Sequence, residues 1–140
     1  MGRITMARIY LDSCMVIGLI EGTQLQRRIL KNQLPVHFVY SSELVRLESR
    51  VLPLRNNDQE SLLKYEHFFN ACNMVAFDKS VFERATILRS KSRMRTPDAL
   101  HLAAAIHAGC EELWTNDKEF IALAKGHLTV LDWEKLESNG

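Results

Sequence analysis

Four acidic side chains carry the chemistry legible in this chain. Asp12 closes the apolar stretch RIYL, Glu48 lies inside SSELVRLESR, Asp98 inside RTPDALHLAAA, and Asp117 ends LWTND. Each stands where a hydrophobic stretch gives way to a helix, or on a helix's apolar face. A carboxylate beside a core is costly unless something offsets its charge. Four such positions within 140 residues point to one pocket that gathers them around a hard divalent cation. Crowded carboxylates repel, and without a cation one of them would stay protonated. All-oxygen donors select Mg²⁺ or Mn²⁺ over zinc. Such an ion suits phosphodiester hydrolysis, because it activates a water and neutralises charge developing on the phosphate.

Each acid also has a reading without a metal. Asp12 can be the N-cap of the following helix, although Ser13 can serve equally well. Thr-Pro-Asp is a good helix start in its own right, since an acid in the first turn is stabilising there. Asp117 follows Thr115 and Asn116, and any of the three can cap the next helix. Glu48 is the exception. On a helix it shares a face with Leu44, Val45, Val51 and Leu52, whereas Glu43 sits in the first turn beside Arg46 and Arg50. Helix electrostatics account for Glu43 and not for Glu48, so Glu48 needs either a buried arginine partner or a cation.

The elements that must position these groups follow from pattern. RIYLD predicts a buried strand over Arg8 to Leu11, then a short helix through CMVIGLI that stops at Glu21 and Gly22, then a helical piece from Leu25 to Leu30. Pro35 precedes VHFVY, a second strand. Ser41 and Ser42 offer N-cap chemistry for a helix reaching about Val51, with Pro53 and RNND as a turn. Asp58 caps a helix over about Gln59 to Asn70. NMVAF is a third strand, and Asp78 or Ser80 caps a helix from Val81 to Leu88. RSKSRMR reads as a loop or frayed helix end. Thr96 at the N-cap and Pro97 at the first helical position start a helix that runs to Gly109. ELWT, KEFIALA and HLTVLD read as strand, helix and strand. The tail, residues 134–140, reads as loose. This alternation implies one α/β domain over residues 1–140 with a mostly parallel sheet of four to five strands. Ligands of such sheets bind outside the strands' carboxyl ends, where Asp12 and Asp117 fall.

Composition fits that reading: 46% hydrophobic, 25% charged, net charge +1, which gives no global field toward nucleic acid. Basic residues cluster locally instead. Arg89, Lys91, Arg93 and Arg95 precede Asp98 and can contact RNA phosphates. Cys14, Cys72 and Cys110 are odd in number and lack zinc spacing, as expected of reduced thiols in a cytoplasmic protein. No apolar run approaches the roughly 18 residues of a membrane span. The start lacks a signal-peptide layout. Met6 can serve as the start, which would make Met1 to Thr5 a dispensable extension, and residues 1–6 are expected to be a flexible one.

YLDSCMVIGLIE, SSELVRLE, RTPDALHLAAAI and LWTND together resemble the PIN-domain ribonucleases, in particular the VapC-type toxins of bacterial toxin–antitoxin pairs. The resemblance covers about Ala7 to Asp132. It implies a three-layer α/β/α sandwich and an Mg²⁺- or Mn²⁺-dependent endoribonuclease. Asp12, Glu48, Asp98 and Asp117 match the family's acids, with Ser13 and Thr115 or Asn116 as supporting polar groups. It further implies a small cognate antitoxin and a homodimer. One departure stands out: the first motif is usually D-[TS]-N, and here it is Asp12-Ser13-Cys14, so a supporting amide is lost. The alternative is a catalytically inactive PIN-like scaffold that binds RNA or a protein partner. Haloacid-dehalogenase and receiver-type readings lack the acids they need: Cys14 stands two residues after Asp12, and no acid pair occurs at the first strand.

Overall fold

Strands buried on both faces read as continuous apolar runs, and parallel sheets covered by helices contain such strands. In the computed structural model, which describes residues 5–139, β1 (Arg8–Leu11) has this character: Ile9, Tyr10 and Leu11 are wholly buried. Residues 1–4, on which the expected extension largely rests, and Gly140 lie outside the described residues. After β1 come α1 (Ser13–Glu21), α2 (Gln24–Gln33) and a single 3₁₀ turn at Leu34–Val36. β2 (Phe38–Ser42), α3 (Glu43–Arg55) and α4 (Gln59–Ala71) follow. Then come β3 (Asn73–Val75), α5 (Lys79–Ser90), α6 (Thr96–His107) and β4 (Glu112–Trp114). The order closes with α7 (Lys118–Ala124), β5 (Thr129–Leu131) and α8 (Trp133–Asn139).

All pairings are parallel, in the order β3-β2-β1-β4-β5. The α/β architecture expected from the sequence is therefore present, with a five-stranded parallel sheet flanked by helices. The chain steps outward from β1 to β2 and β3, then returns to the other side of β1 for β4 and β5. Adjacent strands on the two sides of this reversal leave a crevice at their carboxyl ends, where such sheets bind ligands. Asp12 follows β1 and Asp117 follows β4 at that crevice. No helix among the described residues is long and apolar enough to cross a membrane.

Several local expectations change. α3 runs four residues past Val51 and takes Pro53 into its last turns. Pro53 is buried there, and proline's lost amide bond is tolerated where packing compensates. The N-cap of α6 is Arg95, with Thr96 inside the helix. α5 extends to Ser90, so only residues 91–95 remain as loop. The tail expected to be loose forms α8. Asp132 Oδ1 accepts from Lys135 N at 2.9 Å, Leu136 is fully buried, and Gln33 Nε2 donates to its carbonyl. Trp133, at the head of α8, lies so close to Gly18 of α1 that a Cβ there would come within 2.6 Å of the indole ring.

The far end of α6 shows how sequence sets the helix that carries Asp98. Gly109 adopts φ +72°. Its N–H donates to Ile106 O at 3.0 Å, and Cys110 N–H to Ala105 O at 2.9 Å, the paired bonds of a Schellman ending. The alanine-rich middle, Ala103 to Ala105, is wholly buried and lets α6 lie close against its neighbours.

Candidate functional site

Each acid reaches the crevice by a different device. Asp12 is the N-cap of α1: Oδ1 accepts from Ser13 N at 2.8 Å. Its other oxygen accepts from Thr115 Oγ1 at 2.7 Å, so β1 and β4 meet at this carboxylate. Asp117 caps α7 through Oδ1, which accepts from Glu119 N and Phe120 N. Asp98 lies in the first turn of α6. Glu48 sits in the middle of α3, where Val45 is buried but Val51 and Leu52 are 44% and 58% exposed. The apolar face read from sequence is therefore only half covered, and Glu48 stands at its covered border. What holds its carboxylate is His101, whose Nε2 is 2.7 Å from Glu48 Oε1.

Asp12, Glu48, Asp98 and Asp117 line one cavity of about 260 Å³, together with Ser13 and Cys14. Arg95 and Pro97 close its other side. The Arg95 guanidinium bridges two acids: Nε is 3.2 Å from Asp98 Oδ2, and Nη2 is 2.7 Å from Asp117 Oδ2. Burial pushes the Asp98 carboxyl above its ordinary range, while Arg95 pulls the other way. The guanidinium itself is held more firmly charged by the Asp98 carboxylate first and by Asp117 after it.

The donor set suits a hard cation. Asp98 Oδ1 and Glu48 Oε2 accept no hydrogen bond from the described residues. Asp12 keeps a lone pair beyond its bonds from Ser13 N, Thr115 Oγ1 and the Cys14 thiol, because a carboxylate has about four acceptor sites. One ligand atom each from Asp12, Glu48 and His101 lies within 4.8 Å of the others. Asp117, like Asp12, has both oxygens bonded, and one of its partners is the Arg95 guanidinium.

Cys14 occupies the place of the missing amide. Its Sγ lies 3.8 Å from both Asp12 Oδ2 and Thr115 Oγ1, and accepts from Asn116 N at 3.4 Å. Burial first, then the Asp12 charge, push its thiol up to about 11, so it is a neutral packing and hydrogen-bonding group near pH 7. Thr115 acts through its hydroxyl, whereas Asn116 and Ser13 contribute backbone amides.

The basic run divides. Arg95 turns into the acidic cavity, and Arg89 Nε ties down the 91–95 loop by donating to Met94 O at 3.0 Å. Lys91 lines a separate cavity with Lys79 and Arg84, while Arg93 is exposed. His101 is a functional residue that the sequence alone does not single out, because a lone histidine on a helix fits a core or surface position equally well. Its spacing of one turn after Asp98 was the available signal.

Comparison with known proteins bears on this site. A family model described as PIN domain matches residues 9–126. No curated protein sequence matches the chain. Among solved structures, a toxin–antitoxin complex from Klebsiella pneumoniae is similar with TM-score 0.71 and 21% identity, over 88% of this chain and 95% of that one. VapBC2 from Rickettsia felis, bound to a DNA fragment from its promoter, has TM-score 0.73 and 17% identity, covering 90% and 98%. VapC20 from Mycobacterium tuberculosis, described as a toxin cleaving the sarcin–ricin loop, has TM-score 0.66 and 17% identity, covering 81% and 93%. At these identities the likeness is one of fold.

Proposed function

The chain belongs to the PIN-domain family, and on that premise we propose that it is a metal-dependent endoribonuclease, the toxin of a toxin–antitoxin pair. The observation that carries this reading is the convergence of Asp12, Glu48, Asp98 and Asp117 on one cavity at the sheet's switch point. Those four residues would hold Mg²⁺ or Mn²⁺, which supplies an activated water and charge neutralisation at a phosphodiester. The chain's own residues do the rest. Thr115 and the Ser13 amide fix the Asp12 carboxylate, and the α7 amides fix that of Asp117. His101 holds one oxygen of Glu48 and leaves the other open. RNA is the substrate, with Arg93, Lys91 and Arg89 on its approach. The partners are a small antitoxin and a second copy of the chain, and the setting is the cytoplasm. The structural neighbours include toxin–antitoxin complexes, which supports this assignment.

The test is cleavage of structured RNA by purified protein with Mg²⁺ or Mn²⁺, repeated with chelator. Cutting that the chelator abolishes is expected. Absence of cutting with either ion would sink the proposal. One observation favours the inactive scaffold as the second reading: Arg95 already pairs with both Asp98 and Asp117 and offsets part of their charge without a cation. The same assay separates the two.

Arg95 gives a further expectation. A guanidinium on two of the four acids competes with any cation for them. Arg95→Met is expected to tighten Mn²⁺ binding severalfold in isothermal titration and to weaken RNA binding. Unchanged or weaker Mn²⁺ binding would contradict the countercharge role.

A further inference from the structure

A line of hydrogen bonds starts at the N-cap of α3, the last residue of β2, and ends on α3 itself at Glu48. Ser42, the N-cap of α3, accepts from Val45 N at 3.3 Å. Its Oγ is 2.7 Å from Tyr10 Oη, which is 2.8 Å from His101 Nδ1. His101 Nε2 then meets Glu48 Oε1 at 2.7 Å. The line crosses from the end of β2 to β1 to α6 and on to α3. Ser42 and Tyr10 are wholly buried and His101 is 1% exposed, so water cannot easily stand in for a missing partner.

We propose that Ser42 and Tyr10 lock His101 as the Nε2–H tautomer, making it a positioning residue that aims Glu48 and not a ligand of the cation. Proton accounting supports this order. The Ser42 oxygen already accepts the Val45 amide, and its own proton needs an acceptor; among the described residues the partner within reach is Tyr10 Oη. Tyr10 then spends its proton on the other neighbour, His101 Nδ1. That nitrogen accepts, so the ring proton sits on Nε2 and points at Glu48. The reverse order would bury the Ser42 proton without an acceptor, a costly arrangement.

A nitrogen that carries a proton has no lone pair for a metal. The close grouping of Asp12, Glu48 and His101 is therefore two carboxylates and an orienting donor. Partners of this kind hold a ligand's orientation, and their loss typically weakens metal binding by about 10- to 100-fold. The inference rests on the nuclease reading for its purpose, but the tautomer can be tested without it.

Long-range ¹H–¹⁵N spectra of the full chain are expected to show His101 protonated at Nε2 and bare at Nδ1. A proton on Nδ1, alone or together with Nε2, would overturn the proposal. Mn²⁺ titration supplies the second readout. Tyr10→Phe and His101→Ala are expected to weaken binding about tenfold or more, and His101→Gln, which keeps an N–H donor, to recover most of it. Wild-type affinity in both Tyr10→Phe and His101→Ala, or a loss in His101→Gln as deep as in His101→Ala, would also overturn it. Wild-type protein that binds no Mn²⁺ would refute the nuclease reading instead, with the tautomer still decided by the spectrum.

Discussion

Asp98→Asn is expected to lower RNA cleavage roughly a hundredfold to a thousandfold while leaving the protein as stable as the wild type, or slightly more so. The amide keeps the shape of the side chain and removes the charge that would hold a cation and steady the reacting phosphate. Stability should not fall, for a reason of sign. Burial raises the Asp98 carboxyl above its ordinary range, so its charged form is disfavoured in the folded state. The corresponding stability is present at low pH and is lost as pH rises through the raised value. Near pH 7 the charge is thus a net burden, eased only in part by Arg95, and removing it relieves the fold. Activity bought with a locally unfavourable group is a familiar pattern at functional sites. Asp12→Asn and Glu48→Gln should lose cleavage to a similar degree. Asn still caps α1, because its carbonyl oxygen can accept from Ser13 N while its amide turns toward Thr115 Oγ1. Cleavage assays beside thermal melts check all three. Full activity in all three variants would remove the site assignment.

Trp114→Ala is expected to lower unfolding stability by about 3–5 kcal/mol, a large share of the roughly 5–15 kcal/mol of a typical domain. Trp114 is fully buried in β4, between β1 and β5. Its Nε1 donates to Glu112 Oε1 at 2.9 Å, and its ring stands edge-on to His37 with centroids 5.7 Å apart. The backbone here also carries the site: Trp114 O accepts from Asp12 N at 3.0 Å, and Thr115 is the next residue. A cavity at this point should loosen Asp12 as well as the core. Trp114→Phe, which keeps an aromatic ring and loses the N–H donor, should lose much less. Urea unfolding measures both. A loss under about 1 kcal/mol for Trp114→Ala would mean that the core closes over the gap, contrary to its dense packing.

The strands and most helices were legible because single local rules decide them. RIYL has no polar alternation, so a doubly covered strand was the natural reading, and β1 is one. Asp58 and Asp78 announced α4 and α5 by capping chemistry, and both side chains accept the expected third amide. Gly109 announced the end of α6 and adopts the left-handed conformation that glycine favours. The errors lie where tertiary packing overrides a local rule. Pro53 reads as a helix breaker, yet its burial carries α3 through to Arg55. The tail reads as loose because WEKLESNG is polar, while its order depends on one buried leucine and a long-range bond from Gln33.

The same divide runs through the site. Asp12 and Asp117 were placed correctly at the strand ends, since topology alone puts them there. That Arg95 would leave the basic run and bridge Asp98 to Asp117 depends on a contact across 22 residues. The roles of Tyr10 and Ser42 were out of reach for a like reason. Each sits at an ordinary core or cap position, and only the folded chain shows that their hydroxyls lead to His101 and Glu48.

Mn²⁺ titration of the purified chain, followed by electron paramagnetic resonance, addresses the central claim most directly: that these carboxylates exist to hold a divalent cation. Saturable binding, displaced by Mg²⁺ and lost in Asp12→Asn, Glu48→Gln and Asp98→Asn, is the expected result. No binding by the wild type, or binding that survives all three substitutions, would contradict it.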